Sequence, residues 1–595
     1  MIAAMKDPVG RLGLRAAFHV RRYSAMYALG VIAIIAVLLM PTVAETAHPG
    51  LLAGGSGNGQ QGAGQAASAP AAAGAGAAAA AGPGATTAGA GAGPIGSVAA
   101  ATGTTRGGFT CSPGVHQIPW SEYTPQCVAA FQGNNGGATW NGVTGTTITL
   151  VMRHCADASG PNEASATALA EQAGGESLAD EETHVKQIIA YFNRTFELYG
   201  RRVQVVDYSG QSQSQCSSTE ATGGGQTAAQ ADADYEANTL HAFTDLNYAG
   251  LFESEVFAQQ AAHYHMYLGF AQLYFPESEF RAEDPYIWAP PPSCTIGGAD
   301  FAEFVGKQIM PFPTQWAGTL NGVPLNGKPR KLGVYIPGNE GYNECEQNTR
   351  TIDQQKYGIP AKNDCGATQP GCRWDIYKYS LDISTWEQGA QQAATQFAAD
   401  QDTTVVLSSD PLSPIFLTQD AHAQQYFPEW LLTGVALTDQ DNLAQIWDQT
   451  EIKGHLFGLS QLGSAAARNN PNGEAYRTLK AAGVKQDPGT VLNYFELLHL
   501  FVQLQIAGPI LTPANIARGT RALPKFGSGK SPDGTWDYGN RHTAILDERE
   551  IYYVEDQNSP LDNRAGTYIE IYGGQRFGVG QYPSGQPPFY PNGPE

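Results

Sequence analysis

The stretch from Thr146 to Tyr208 constrains the fold of this chain more than any other. It opens with an apolar strand pattern over Thr146–Met152, followed by a long loop and a helix pattern with Gly200 as its C-cap glycine. The apolar residues of that helix recur at the spacing of one helix face: Val185, Ile188, Ile189, Phe192 and Phe196. A valine-rich strand pattern over Arg201–Ser209 completes the stretch. This order predicts a βαβ unit with parallel strands and a right-handed crossover.

The alternation of strand and helix patterns continues along the chain. Further strands are predicted at His241–Thr244, Met266–Gln272, Lys331–Pro337, Trp374–Ser384, Thr403–Ser409, Glu429–Ala436, Gly454–Gln461 and, as one or two strands, Arg541–Glu555. Helices are predicted at Gln226–Thr239, Phe252–His265, Glu344–Tyr357, Thr385–Asp400, Leu417–Phe427, Asn472–Gly483, Val491–Gly508 and Leu511–Leu523. Two consecutive series of this kind predict an α/β protein with two halves.

The chain of 595 residues is acidic, with 34 Lys and Arg against 55 Asp and Glu and a formal net charge of -21. Nucleic acids and anionic membranes bind clustered positive charge, so the composition disfavours both as partners. All eight cysteines follow an apolar N-terminal segment, and their even number is typical of disulfides in an exported domain.

The N-terminus carries an export signal. Basic residues precede the apolar run Ser24–Met40, which Pro41 ends. Cleavage after Ala44 would give a secreted protein, whereas retention would leave a transmembrane anchor; the pattern leaves both open. The Gly/Ala-rich residues 48–108 have no apolar face and are predicted to form a disordered tether. Either way the folded part is extracytoplasmic.

Several strings then carry a resemblance to a known family. They are AYFNRTFELYGRRVQVVDYSGQ, RKLGVYIPGNEGYNE, YFELLHLFVQLQIAG, LTPANIARGTRAL and RHTAILDEREIYYV, in this order between Thr146 and Glu555. They resemble the type I periplasmic binding proteins, and more narrowly the branched-chain amino-acid (Leu/Ile/Val) binding proteins of ABC importers. The resemblance implies two flavodoxin-like lobes, each a parallel sheet with helices on both faces, joined by three crossings with the ligand in the cleft.

On this resemblance the chain divides into consecutive parts. They are an export signal or anchor (1–47), a tether (48–108), an N-terminal flap (109–145), the first lobe (146–292), a crossover (293–330), the second lobe (331–453), a return to the first lobe (454–535), closing strands of the second lobe (536–556) and a Gly/Pro/Tyr-rich extended tail (557–595).

The resemblance also indicates where a ligand would bind. The candidates are the residues that follow the predicted strands: Asn247, Tyr248, Gln272, Tyr274, Tyr342, Asp410 and Asp439. Tyr342 matches a cleft tyrosine of the family. Asn247 and Tyr248 replace its usual Gly and Ser, and Gln272 and Tyr274 stand where it has Ser or Thr. These replacements imply a different or larger polar ligand than an α-amino acid.

The cysteines are expected to form disulfides. Cys111 and Cys127 would close the flap, and on the implied fold the other pairs are Cys155 with Cys216, Cys365 with Cys372, and Cys294 with Cys345. No cofactor or metal site is predicted, since His263 and His265 stand two apart on a predicted helix and face different ways.

The leading functional hypothesis is an extracellular solute-binding protein that captures a small polar solute, such as an amino acid, amide or peptide, for the membrane subunits of an ABC importer. The alternative is a surface-tethered ligand sensor or cell-envelope interaction protein with the same fold. An enzyme is not predicted, because no catalytic triad or paired-carboxylate motif is present.

Overall fold

The fold is built from two α/β lobes, each around one sheet. The computed structural model describes residues 102–154, 168–169, 171–174, 177–210, 225–247, 255–269, 275–338, 340–359 and 374–591. The opening βαβ unit is confirmed: β1 (Thr147–His154) and β2 (Arg202–Ser209) are parallel neighbours, joined through α1 (Leu178–Thr195).

The sheet of the first lobe places β2, β1 and β3 side by side, all parallel. The elements after β2 are α2 (Gly225–Asn238), β3 (Thr244–Asn247), α3 (Glu255–His263) and α4 (Glu277–Ala282). Single parallel bridges pair Leu268 with Ile287 and Ala289 with Thr543. Through these bridges, short extended segments around Leu268, Ile287 and Thr543 continue the first-lobe sheet beyond β3.

The second lobe holds the larger sheet. Its elements are α5 (Cys294–Phe304), β4 (Leu332–Pro337), α6 (Glu340–Tyr357), β5 (Trp374–Tyr379), α7 (Trp386–Asp400), β6 (Thr404–Leu407), α8 (Pro414–Ala423), β7 (Glu429–Leu432), α9 (Asp441–Ala444), α10 (Gln449–Ile452) and β8 (Leu456–Ser460). The parallel strands stand in the order β5-β4-β6-β7-β8. Numbered along the chain this is 2-1-3-4-5, the doubly wound order of flavodoxin-like folds.

The chain then returns to the first lobe and leaves it again. The returning elements are α11 (Ala465–Arg468), α12 (Glu474–Ala482), α13 (Pro488–Ile506) and α14 (Pro513–Arg521). Helices α12 and α13 pack against α1. Three strands finally complete the second sheet: β9 (Glu548–Asn558) pairs antiparallel with β8, and β10 (Ala565–Glu570) and β11 (Arg576–Phe577) each pair antiparallel with β9.

Each sheet is buried on both faces, as parallel sheets are. In β4, Tyr335 points into one apolar cluster, whereas Val334 and Ile336 point into the other. In β1, Val151 likewise points into one apolar cluster and Leu150 into another. The alternation follows from the two-residue period of a strand.

The described chain passes between the lobes three times. The first crossing runs through three consecutive prolines, from Ala289, which is hydrogen-bonded to the first lobe, to Cys294 at the start of α5. The second runs from the end of β8 to α12, and the third from Thr543 to β9. Residues beside these three crossings therefore lie next to both lobes.

Some predicted elements were placed wrongly. The strand predicted at His241–Thr244 lies three residues later, because His241 adopts φ +52 and forms a turn. Helix α1 ends at Thr195, and Gly200 is not its C-cap: Gly200 (φ +87) forms the turn before β2. The described part of the strand predicted at Met266–Gln272 makes only the Leu268 bridge.

Two larger corrections concern the second lobe. The strand predicted to return to the first lobe over 454–461 is β8, which lies between β7 and β9 in the second sheet; the return begins after Ser460. The tail, expected to be extended and separate, supplies β10 and β11 and buries Phe577, Tyr582 and Phe589 in the second-lobe core. The Gly- and Pro-rich composition of the tail has no apolar periodicity, so the burial of these few rings was not predicted from the sequence.

Two of the expected disulfides are present, Cys111–Cys127 in the flap and Cys294–Cys345 between α5 and α6. The pairs Cys155–Cys216 and Cys365–Cys372 lie outside the described residues, as do the export signal and residues 48–101 of the tether. Within the described ranges, no helix is long and apolar enough to cross a membrane.

Candidate functional site

A cavity lies between the two lobes, beside all three crossings. Its walls include Pro290–Pro292 from the first crossing, Gln461 and Leu462 from the second, and Ile545 from the third. Its volume is about 90 Å³, several times the roughly 10–15 Å³ that one water molecule requires by the same measure. The cavity therefore has room for a small solute.

The second lobe contributes residues that follow its parallel strands. Tyr342 lies in the first turn of α6, after β4, and residues 434–437 form the loop after β7. Ala436 and Leu437 adopt φ +53 and +62, a left-handed conformation that strains a residue with a side chain. Such strain is held in place by the surrounding structure and is concentrated at functional sites. The position also agrees with ligand binding at the carboxyl ends of parallel strands.

Asp439 is the buried carboxylate of this wall. One oxygen, Oδ2, accepts hydrogen bonds from the backbone N–H groups of Gln461 (2.9 Å) and Leu462 (3.2 Å). The other, Oδ1, has no hydrogen-bond partner among the described residues. Burial raises the pKa of Asp439, while the Ser460 side chain, the Leu462 N–H and the charge of Arg549 lower it. Asp439 thus fixes the start of the second crossing through one oxygen, while its other oxygen is buried without a hydrogen-bond partner among the described residues.

The first lobe contributes one face of α13. Leu492, Phe495, Glu496 and His499 all line the cavity and follow the helical spacing of three and four residues. Phe495 provides an apolar ring, whereas Glu496 and His499 are polar. The amphipathic face explains why these residues stand together in an otherwise apolar helix.

His499 is held by its neighbours. Its ring stacks on Trp536 with centroids 3.4 Å apart, and its Nδ1 lies 2.7 Å from the hydroxyl of Tyr538. Its Nε2 has no hydrogen-bond partner in the described part of the chain and lies 3.9 Å from Asp533 Oδ2. Burial lowers the pKa of His499 well below its usual value, so the imidazole is neutral at pH 7.

Asp533 lies in the turn between the short paired strands Phe526–Gly527 and Thr535–Trp536. Its Oδ2 accepts the indole N–H of Trp536 (2.9 Å), and its backbone N–H donates to the hydroxyl of Tyr123 (2.9 Å). Burial raises the pKa of Asp533 to about 6, against the lowering effects of Trp536 and Arg468. Asp533 is therefore mainly ionised at neutral pH.

The structure brings together two of the seven sequence-predicted site residues. Tyr342 and Asp439 line the cavity, but Asp410 does not. The side chain of Asn247, at the end of β3, and all of Tyr248, Gln272 and Tyr274 lie outside the described residues. These four stay predictions.

Asp410 has a local role instead. Its Oδ1 accepts the N–H groups of Leu412 and Ser413, both at 2.8 Å, and its Oδ2 accepts the Tyr379 hydroxyl at 2.5 Å. This is the turn chemistry of an aspartate before a helix, here α8.

Three residues of the cavity wall, His499, Glu496 and Asp533, are not among the sequence-predicted site residues. The first two lie in a long apolar helix, where a histidine usually belongs to the core. Their spacing of three residues on the face of Leu492 and Phe495 was the available signal. Asp533 belongs to a Gly- and Pro-containing loop with no strand pattern to place it.

One group of three side chains in the described ranges could hold a metal ion: His154, Glu182 and Asp207, whose ligand atoms lie within 4.8 Å of one another. Lys186 already pairs with both Glu182 and Asp207, the latter at 2.8 Å. The group is accordingly a partly exposed ion-pair cluster.

No family model matches this chain, and no curated protein matches it. Among solved structures it is similar to a fatty acid ABC transporter substrate-binding protein from Thermomonospora curvata. That likeness has 12% identity and a TM-score of 0.48, and it covers 76% of this chain and 98% of the other.

Two further solved structures show the same type of likeness. The branched-chain amino acid transporter substrate-binding protein LivJ from Streptococcus pneumoniae, in complex with isoleucine, has 10% identity and a TM-score of 0.44, covering 71% of this chain and 100% of its own. An ABC transporter solute-binding protein from R. palustris, in complex with 4-hydroxybenzoate, has 12% identity and a TM-score of 0.47, covering 73% and 98%.

Proposed function

We propose that this protein binds a small polar solute between its two lobes and delivers it to the membrane subunits of an ABC importer. The observation that carries the proposal is the position of the cavity: both lobes and all three crossings line it. A solute there contacts both lobes at once only when they are closed. It therefore stabilises the closed state and shifts the population toward it.

The polar groups of the cavity support solute capture. Asp439 and His499 line the cavity, and each has a buried polar atom, Oδ1 and Nε2, without a hydrogen-bond partner among the described residues. An unpaired buried polar group destabilises a protein by about 1–3 kcal/mol. A solute that pairs with both groups removes this cost. Tyr342 and Asp439 are accordingly proposed as ligand contacts.

The test is a thermal-shift screen of the purified protein against amino acids, amides, amines, sugars and short peptides, followed by small-angle X-ray scattering with each hit. A solute at 100 times its dissociation constant stabilises the folded protein by about 2.7 kcal/mol. We expect at least one hit, with a smaller radius of gyration when it is bound. Absence of a melting-temperature rise with every class of solute would refute the proposal.

A matched pair of variants locates the site. Asp439→Asn removes the charge of a carboxylate that lines the cavity, and Asp410→Asn removes that of an equally buried carboxylate outside it. We expect Asp439→Asn to weaken binding at least tenfold and Asp410→Asn to change it less than threefold. Equal effects of the two variants would place binding elsewhere.

Delivery to an importer is tested separately from binding. Uptake of the identified solute is measured in cells with and without the gene. Loss of uptake supports transport. Unchanged uptake together with solute binding supports the sensor alternative. The predicted tether and anchor favour that alternative, because they would hold the protein at the cell surface.

A further inference from the structure

The cavity has an uneven charge. Three of its lining residues carry carboxyl groups, Asp439, Glu496 and Asp533, and no lysine or arginine is among the described residues that line it. Its other polar side chains are those of Tyr342, Gln461 and His499, none of which carries a positive charge here. The remaining walls are apolar, formed by prolines and by residues such as Phe495 and Leu462.

Positive charges lie behind the cavity walls. Arg468 is buried and influences both Asp439 and Asp533, and its closest hydrogen bond is a long one to Gln440 Oε1 (3.4 Å). Arg576 donates to Asp547 and to the Gln461 carbonyl. These guanidinium groups favour the ionised form of the carboxyls. They do not line the cavity themselves.

We propose that the solute is a small organic amine, whose ammonium group pairs with the carboxylates of Asp439 and Asp533 and whose apolar part packs on Phe495. The inference rests on the proposed function and names the class of its ligand. Asp439 Oδ1 is buried and has no hydrogen-bond partner among the described residues, and an ionised carboxylate can accept hydrogen bonds but cannot donate them. An ammonium has three donors and no acceptor, so it complements such a group.

An acid of the same size is disfavoured in this cavity. Its carboxylate would meet the three acidic side chains in a site of low dielectric constant, where like charges repel strongly. An α-amino acid combines the favourable ammonium with that unfavourable carboxylate. One positive partial charge is also present: the first turn of α6, beside Tyr342, carries the positive end of the helix dipole. The test therefore includes a zwitterion.

The experiment is isothermal titration calorimetry at pH 8 with three probes that share the same isopentyl group. Isopentylamine is the cation, 4-methylpentanoate the anion and leucine the zwitterion. We expect isopentylamine to bind at least tenfold more tightly than either of the others. Tighter binding of 4-methylpentanoate or leucine, or no binding of isopentylamine, would overturn the inference.

Two variants check that the charge of the cavity is responsible. Asp533→Asn keeps an oxygen that can accept the Trp536 N–H but removes the negative charge. Its control is Glu122→Gln, which changes a nearby carboxyl that bonds Ser531 and does not line the cavity. We expect at least a tenfold loss of isopentylamine affinity in Asp533→Asn and less than a twofold change in Glu122→Gln. An amine affinity that neither Asp533→Asn nor Asp439→Asn reduces contradicts the inference.

Failure of the inference differs from failure of the proposed function. If an acidic or uncharged solute closes the lobes and isopentylamine does not bind, the solute-binding function stands and the amine class is wrong. If no solute of any charge binds, both fall.

Discussion

The two ends of the described chain complete the two lobes in different ways. The flap, residues 109–145, packs on the first lobe and adds Ile118, Tyr123 and Val143 to its apolar cluster. The tail, residues 557–591, packs on the second lobe and adds Phe577, Tyr582 and Phe589 to the cluster there. Both segments lie outside the family resemblance, yet each buries apolar side chains in the core of a lobe.

The flap is anchored mainly by buried polar groups. Glu474 of α12 accepts the hydroxyl of Ser121 (3.0 Å) and the N–H of Glu122 (2.7 Å), together with the hydroxyl of Tyr494 (2.8 Å). The Gln117 amide likewise donates to the Thr195 carbonyl at the end of α1 (2.7 Å). Such contacts specify one docked arrangement, since each donor needs its acceptor.

The C-terminal end of the tail is anchored mainly by aromatic rings. Phe589 packs against Trp316 and Phe457, with ring centroids 5.4 and 5.1 Å apart. The Tyr590 hydroxyl donates to the Leu456 carbonyl at the start of β8 (2.6 Å). Loss of this end of the tail therefore exposes apolar surface of the sheet, whereas loss of the flap leaves buried polar groups unpaired, and the energy of those groups depends on pH.

The largest expected effect is near the C-terminal end of the tail. Replacement Phe589→Ala removes a ring that is 3% exposed, and large-to-small changes of buried phenylalanine cost about 3–5 kcal/mol. We expect a loss of this size in the free energy of unfolding, measured by urea titration. The exposed ring of Tyr572 is the control, since Tyr572→Ala is expected to cost less than about 0.5 kcal/mol. Similar losses in both variants would mean that the tail does not stabilise the second lobe.

The next effect is on the flap disulfide. Cys111 and Cys127 are separated by 16 residues, and closing a loop of about this length stabilises a protein by about 3 kcal/mol through the unfolded state. We expect Cys111→Ser with Cys127→Ser to lower stability by up to this amount and to speed limited proteolysis of the flap. Proteolysis of the tail serves as the internal control and is expected to stay unchanged. Equal acceleration at both ends would show that the two segments are not independent.

The fold was largely predictable because its strands and helices repeat a strong pattern. Helix α1 was found from five apolar residues on one face, and Thr404–Leu407 from an apolar run with the length of a buried strand. The tail was missed because its buried rings are isolated among Gly and Pro residues. Hydrophobic periodicity reveals a regular apolar face of a helix or strand, but it gives no signal for an isolated buried side chain.

The candidate site was predictable only in part, for a related reason. Tyr342 and Asp439, which line the cavity, were candidates because they follow strands, where ligands bind in parallel sheets. His499 and Asp533 reach the cavity through the packing of α13 and of a turn near the third crossing. Their approach depends on tertiary contacts that no local pattern records.

The third prediction uses the pH dependence of stability to distinguish the buried carboxyl group that anchors the flap from the aromatic rings that anchor the tail. Burial raises the pKa of Glu474 to about 8, well above the value of about 4.3 of an exposed glutamate. The folded state therefore holds a proton that the unfolded state releases, and the stability from this group is lost as pH rises from about 4 to about 8. In Glu474→Gln this loss disappears. The variant pays instead about 1–2 kcal/mol at every pH, because an amide nitrogen cannot accept a hydrogen bond.

Urea titrations at pH 5 and pH 8 measure this effect. We expect Glu474→Gln to be less stable than the native chain at pH 5 and to lose less stability between the two pH values. Asp300 and Glu548, whose pKa values burial also raises, keep part of the slope. Phe589→Ala, with its carboxyl groups unchanged, is the control and should retain the native slope. An unchanged slope in Glu474→Gln would contradict the assignment.

The smallest expected effect tests whether the flap, unlike the tail, supports the cavity. The Tyr123 hydroxyl donates to the Gly534 carbonyl (2.8 Å) and accepts the N–H of Asp533 (2.9 Å), so it fixes the turn that carries a cavity carboxylate. Tyr123→Phe keeps the ring contact with Trp536, 4.5 Å between centroids, and removes both bonds. We expect about 1 kcal/mol of lost stability and a threefold to tenfold weaker solute affinity by calorimetry.

The matched change in the tail is Tyr590→Phe, which removes the bond to the Leu456 carbonyl at the start of β8; neither Tyr590 nor Leu456 lines the cavity. A similar small loss of stability is expected there, with solute affinity unchanged. If Tyr590→Phe weakens binding as much as Tyr123→Phe does, both segments act on the site only through overall stability. If Tyr123→Phe alone weakens binding, the flap is part of the site's support, because it sets the position of Asp533.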